Sequence, residues 1–311
     1  MANSNGNNIV DVRLKDQRSV HAREMAILQA ATKALLMPTV DERLKHVTLK
    51  VKRAKEHLGD LDLQIRGFLA AKPYKVATKR DPQTRKLIYY VSAVQPTPEC
   101  LALVSGDAIQ NLVSALDHLA YQLVLSDTSD NPPNPNWIYF PIADDAAKYE
   151  AKKRRKMDGA WQETFDVIDA LKPYKGGNDL LWMLHRLNNI EKHRLLITVG
   201  SIFQSLNLGA HTSAMMAEFI STLPNSPFHG IDLTPFNNVF FQPPGFLFPL
   251  KVSDELFTDG VDAKVNEKLQ FRFNVALSEP PIIEAHSLLE TIRQFTVLVE
   301  DIVTVLTPRL R

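Results

Sequence analysis

Arg186 and His193 sit seven residues apart in a helical sequence, LLWMLHRLNNIEKHRLLITV, residues 180–199. Seven residues are two helical turns, so both side chains leave nearly the same face. Asn189 lies between them on that face, and Lys192 flanks His193. A guanidinium grips a phosphate through two parallel hydrogen bonds. An imidazole titrating near neutrality moves a proton. Together they suit metal-free cleavage of RNA. The histidine would activate the 2′-hydroxyl or protonate the leaving oxygen, and the arginine would stabilise the charged phosphorane.

A second polar stripe runs through GDAIQNLVSALDHLAYQL, residues 106–123. Asp107, Asn111, Ser114, His118 and Gln122 recur at three- and four-residue steps beside the apolar stripe Ile109, Leu112, Leu116, Leu119 and Leu123. Asp117 is adjacent to His118, so the two point about 100° apart. Polar groups inside an apolar bundle are costly unless paired. Pairing across helices, of Asp107, Asn111 or His118 with Arg186, Asn189 or His193, is the expected arrangement. The same pairing also fits a structural network that fixes helix register without catalysis. A third reading is a metal site built from His118, His193 and either His185 or His286. No HExxH or Glu-x-x-His pair accompanies those histidines, and no metal or cofactor is expected. There is no GxGxxG or Walker loop, and the one cysteine, Cys100, has no adjacent histidine.

The elements that must position these residues are mainly helical. Residues 11–37 read as a helix after a disordered tail over 1–10. Leu44, Val47, Val51, Ala54, Leu58, Leu61, Ile65 and Phe68 mark a long amphipathic helix stopped by Pro73. YKVATK and KLIYYVSAV around Asp81-Pro82 predict a β-hairpin at 74–95. Pro98 and Glu99 open the helix of the first polar stripe. Between about 195 and 280 the period becomes strand-like. Leu288, Ile292, Phe295, Val299, Ile302 and Leu306 then form a closing helix. The fold expected is mainly α: an antiparallel helical bundle with a small inserted antiparallel β region, in one domain over 11–311.

Charge is balanced globally at +1 but not locally. Residues 1–100 hold 18 Lys/Arg against 10 Asp/Glu, and residues 201–311 hold 7 against 12. A basic N-terminal third can face phosphate, or be an ordinary solvated surface. The run Lys152–Lys156 reads as a solvated charge run. One cysteine fits a reducing compartment, and no apolar run reaches the roughly 20 residues of a membrane span. A cytoplasmic protein without a membrane partner is expected.

The segments GDAIQNLVSALDHLAYQL and LHRLNNIEKHRLL resemble two motifs of an uncharacterised bacterial protein family. Its members read GDxLHNLRSALDHLA and LxxLNxxDKHRLL, followed by a strand-rich region and a closing helix. The resemblance covers roughly residues 40–306. The layout also resembles, more remotely, the HEPN-type helical bundles, whose motif is Arg, four to six residues, His. Arg186 to His193 satisfies that spacing. In the first segment this chain has Val113 where the bacterial family has Arg. The resemblance implies an RNA-cleaving, RNA-binding or nucleotide-binding protein in bacterial defence or stress, acting as a homodimer. His193 would be the acid/base, Arg186 the phosphate clamp, and His118, Asn111 and Asn189 positioning groups, with Asp107, Asp117 and Lys192 nearby. The alternatives are a non-catalytic helical scaffold and a metal-dependent bundle enzyme.

Overall fold

The computed structural model describes residue 25 and residues 38–193, 196–237, 239–242, 247–267 and 269–310, leaving the side chains of His193 and Ala210 outside the description. The expected tail over 1–10 and nearly all of the expected helix over 11–37 lie outside the described residues.

Helix α1, Val40–Ala70, starts at a reciprocal cap. Thr39 Oγ1 accepts from Glu42 N at 3.2 Å, and Glu42 Oε2 accepts from Thr39 N at 2.7 Å. It lies against α2, Glu99–Asp127, which is apolar around most of its circumference and is therefore the central helix. Short helices α3, Ala146–Lys156, and α4, Gln162–Ala170, precede α5, Asp179–His193. The closing helix α7, Leu288–Leu306, buries the stripe Leu288, Ile292, Phe295, Val299, Ile302 and Leu306 against α1, α2 and α5.

The strands are more than a small insertion. Strands β1, Tyr74–Arg80, and β2, Lys86–Val94, form a hairpin whose turn is tied by Asp81 Oδ1, which accepts from the amides of Gln83 and Thr84. Strand β3 is Val199–Asn207 and β4 Phe240–Phe241. Strand β5 is Glu255–Val261, β6 Phe271–Glu279 and β7 Ile283–Ser287. They make two antiparallel sheets, ordered β1-β2-β5 and β4-β3-β6-β7.

This corrects the mainly-α expectation: the described residues form an α+β mix. The physical reason is that the sheets enclose an apolar core of their own. Leu87, Tyr89 and Val91 of β2 meet Phe203 and Leu206 of β3, with Leu250, Leu256 and Leu269. Strand β6 joins that core to the helical one. Phe271 and Phe273 pack against the sheet core, while Val275 and Leu277 belong to the helical core. Within the expected strand region lies helix α6, Leu208–Thr222. Its Leu, Ala, Met and Glu content favours helix, yet it has no clean apolar stripe to announce it.

Candidate functional site

Helix α5 is set by Asn178, whose Oδ1 accepts from Leu181 N at 3.0 Å. Leu181, Leu184 and Leu187 anchor it in the helical core. This leaves His185, Arg186, Asn189 and Lys192 on its remaining sides. His185 and Asn189 are one turn apart, and the Asn189 amide lies 3.2 Å from His185 Nε2. Arg186 is half-exposed, with its guanidinium 3.8 Å from Asp144 Oδ1. The Trp182 indole N–H donates to the same carboxylate at 3.4 Å.

Two other elements complete the cluster. Asp117 of α2 accepts from Phe140 N at 3.0 Å, and Lys156 at the end of α3 donates to Ile142 O at 2.9 Å. Both thereby pin the extended 138–142 segment beside α5.

The electrostatics follow from burial. Burial pushes the His185 imidazole down to about 4, and Lys156, Arg186 and Lys192 push the same way against Asp144. Burial lowers the Lys156 ammonium, with Lys152 and Arg155 adding to the fall while Asp117 and Asp144 oppose it. Burial raises the Asp117 carboxyl against its bond to Phe140 N and the pull of Lys192 and Lys156. Burial also raises Asp144, but the Trp182 indole, Arg186 and Lys148 outweigh it and hold that carboxyl below its usual range. The result is a neutral imidazole among three cations, with the exposed Lys192 and half-exposed Arg186 at the solvent edge.

The first polar stripe divides between two neighbours. Asn111 Oδ1 accepts from Lys50 of α1 at 3.3 Å. The exposed His118 ring lies 6.1 Å from that of His46, also on α1. Burial lowers the His118 imidazole, with Lys50 and His46 adding to it. The charges it feels are thus those of α1, and those felt by Asp117 are Lys192 and Lys156. Asp107 is exposed, and its carbonyl accepts from Asn111 Nδ2. Burial, with the charge of Asp107 adding to it, raises the Glu191 carboxyl, whose Oε2 is buried without a hydrogen bond. Glu191 lies so close to Gly106 that a Cβ there would come within 2.5 Å of its Cδ. The His193 side chain lies outside the described residues. Of the residues singled out from sequence, Asn189 contacts His185, Arg186 and Lys192 act on it by their charge, and Asp117 joins them through Lys156 and Lys192.

His185 figured in the sequence only as a metal ligand, and its four-residue spacing to Asn189 was the available signal. Lys156 was hidden in the charge run. Lys152, Arg154 and Arg155 of that run are exposed, whereas Lys153 is buried on Asp169 at 2.8 Å and Lys156 turns inward. A second group arises in the β half and carried no motif at all. Buried His211 receives the Asn266 amide on Nδ1 at 2.9 Å and has Nε2 3.2 Å from Asp259 Oδ2. It lines a cavity of about 580 Å³ with Glu218, Lys264 and Glu267.

Among the described residues no group of three or more His, Cys, Asp or Glu side chains converges to hold a metal ion. None of their helices is long and apolar enough to cross a membrane. Comparison with protein-family models, characterised proteins and solved structures gave no match.

Proposed function

We propose that the cluster around His185 binds a phosphate-bearing ligand, RNA or a nucleotide, in a cytoplasmic protein. The observation that carries this reading is a half-buried imidazole, 3.2 Å from the Asn189 amide, that lies under the charge of Lys156, Arg186 and Lys192. The Arg186–His193 spacing and the motif resemblance add support. Arg186 clamps phosphate, Lys192 draws it in, and Lys156 supplies inner positive charge. His185 is the proton acceptor in this reading, the His193 side chain lying outside the described residues. If the ligand is RNA and is cleaved, the 2′-hydroxyl proton passes to His185. The 2′-oxygen then bonds to phosphorus, the phosphorus–5′-oxygen bond breaks, and the leaving oxygen takes a proton from water.

The test is fluorescence anisotropy of a labelled single-stranded RNA across a salt series. Arg186→Ala with Lys192→Ala is expected to weaken binding about tenfold or more and to flatten the salt dependence by roughly one counterion per contact removed. Equal affinity and equal salt slope for wild type and the double variant would overturn the proposal.

A second reading rests on the bonds from Asp117 to Phe140 N and from Lys156 to Ile142 O. In it the cluster only fastens the 138–142 segment to the helices. It predicts that Asp117→Ala lowers the melting temperature while no RNA or nucleotide binds the wild type.

A further inference from the structure

Residues 196–250 contain no Lys or Arg, and their only carboxylates are Glu218 and Asp232. Helix α6 lies inside this stretch. Its first turn is seated: Gly209 lies so close to Phe236 that a Cβ would overlap the Phe236 carbonyl oxygen, and His211 and Ser213 are buried. Its second half stands clear. Met216, Phe219 and, just past the helix end, Leu223 recur at three- and four-residue steps, with Met215 one turn before Phe219, and all four are exposed.

The stripe continues into the loop that follows. Met216 shares a cavity of about 330 Å³ with Phe236 and Val239, and Ala217 and Ile220 share one of about 390 Å³ with Phe228 and Ile231. Leu233 lines both cavities, so the apolar surface is continuous across the helix. Phe219 is 63% exposed, Phe228 57%, Phe236 58% and Phe241 43%. At roughly 150–250 Å² per whole aromatic side chain, these four leave on the order of 450 Å² open. Met215, Met216, Leu223, Ile231 and Val239 roughly double that, which reaches the ~800 Å² per partner of a standard interface.

We propose that two copies of this chain associate through the exposed side of α6 and the apolar residues that follow it, Phe228, Ile231, Phe236 and Val239, with Phe219 near the two-fold axis. A two-fold interface sets one surface against itself, so any net charge on it repels. This surface carries almost none. Glu218 is paired with Lys264 at 3.3 Å, leaving Asp232, the histidines 211 and 229, and Arg272 over the Phe240 ring as its other ionisable groups. Basic charge reaches its edge only through Lys264, paired with Glu218, and Arg272, stacked on Phe240, fewer than the clusters of about four or more that hold an anionic lipid surface.

Sedimentation velocity of the full-length chain over a concentration series is expected to show a monomer–dimer equilibrium. Met216→Asp with Phe219→Asp should weaken it about tenfold or more. Both side chains are exposed, so the far-ultraviolet circular dichroism should stay unchanged. With Cys100→Ser in the background, Phe219→Cys should crosslink on oxidation and Val305→Cys, exposed on α7, should not. A monomer at every concentration overturns the proposal. So does a monomer that floats with neutral phosphatidylcholine vesicles, or one in which residues 1–37 shield Phe219 from solvent. Arg186→Ala should remain dimeric, so this test fails or succeeds independently of the phosphate site.

Discussion

His185 couples the candidate site to pH. Its unfolded imidazole takes up a proton below 6.5, while in the folded chain it stays neutral down to about 4. Between those values the unfolded state binds more protons, so stability falls as pH drops through the window. The whole effect amounts to roughly 3 kcal/mol. Lys156, Arg186 and Lys192 face the ring as cations throughout the window, and Asp144 faces it as an anion. Asp117 acts with the opposite sign, because its raised carboxyl holds a proton in the folded state above the usual carboxylate range and softens the loss at the acid end. Urea denaturation of His185→Gln is therefore expected to show a shallower fall in stability from pH 6.5 toward 4 than wild type. Parallel curves would show that the imidazole is not buried neutral. At this scale the sequence carried part of the site. Two-turn spacing put Arg186 and His193, with Asn189 between them, on one face of α5, and gave Lys192 only as the neighbour of His193. It placed His118 with them only because the polar stripe of residues 106–123 was treated as one face. On a central helix packed on several sides, a stripe can straddle two neighbours. Spacing does not say that Asn111 and His118 meet α1 while Asp117 turns toward Lys156 and Lys192.

Helices α2 and α5 approach closely where α2 lacks a side chain. Gly106 sits in mid-helix, where alanine would ordinarily add about 1 kcal/mol. Here a methyl would displace the Glu191 carboxyl from its buried position against α2. Glu191 owes its raised pKa first to burial and then to the charge of Asp107, against its bond to the Ile197 backbone. Gly106→Ala is therefore expected to return the Glu191 carboxyl toward its ordinary range, as read by carboxyl-carbon NMR titration. An unmoved Glu191 titration would contradict the close approach. Element type was legible wherever one period dominated: the stripe of α1, the closing stripe of α7, and the β-branched runs flanking Asp81-Pro82. Helix α6 was not, because Met215, Met216 and Phe219 share the exposed side and leave no buried stripe of period 3.6. The extent of the sheets was also hidden. Pairing of β2 with β5 joins residues about 170 apart in sequence, as at Tyr89 and Phe257, and no local pattern announces it.

Among the described residues strand β6 contributes to both of the large apolar cores. Phe271 and Phe273 lie with the sheet core, and Val275 and Leu277 with the helical core. Leu277 is fully buried. Leu277→Ala is expected to cost about 2–5 kcal/mol. Because one strand serves both cores, the loss should appear as one shifted transition in far- and near-ultraviolet circular dichroism. Two separated transitions would show that the helical and β parts unfold independently. The uneven charge of the chain has a structural sense at this scale. The helical part carries the cationic cluster, whereas residues 196–250 have no basic residue and present the apolar side of α6. The ligand binding and the self-association proposed above would thus fall to different parts of the molecule. The central claim remains that the cations around His185 await a phosphate. Its most direct test is an NMR titration of the His185 ring with and without a saturating ribonucleotide. The account predicts an imidazole pKa near 4 in the free protein that rises toward its ordinary 6.5 when ligand is bound, because phosphate offsets Lys156, Arg186 and Lys192. The same titration curve with and without nucleotide would contradict it.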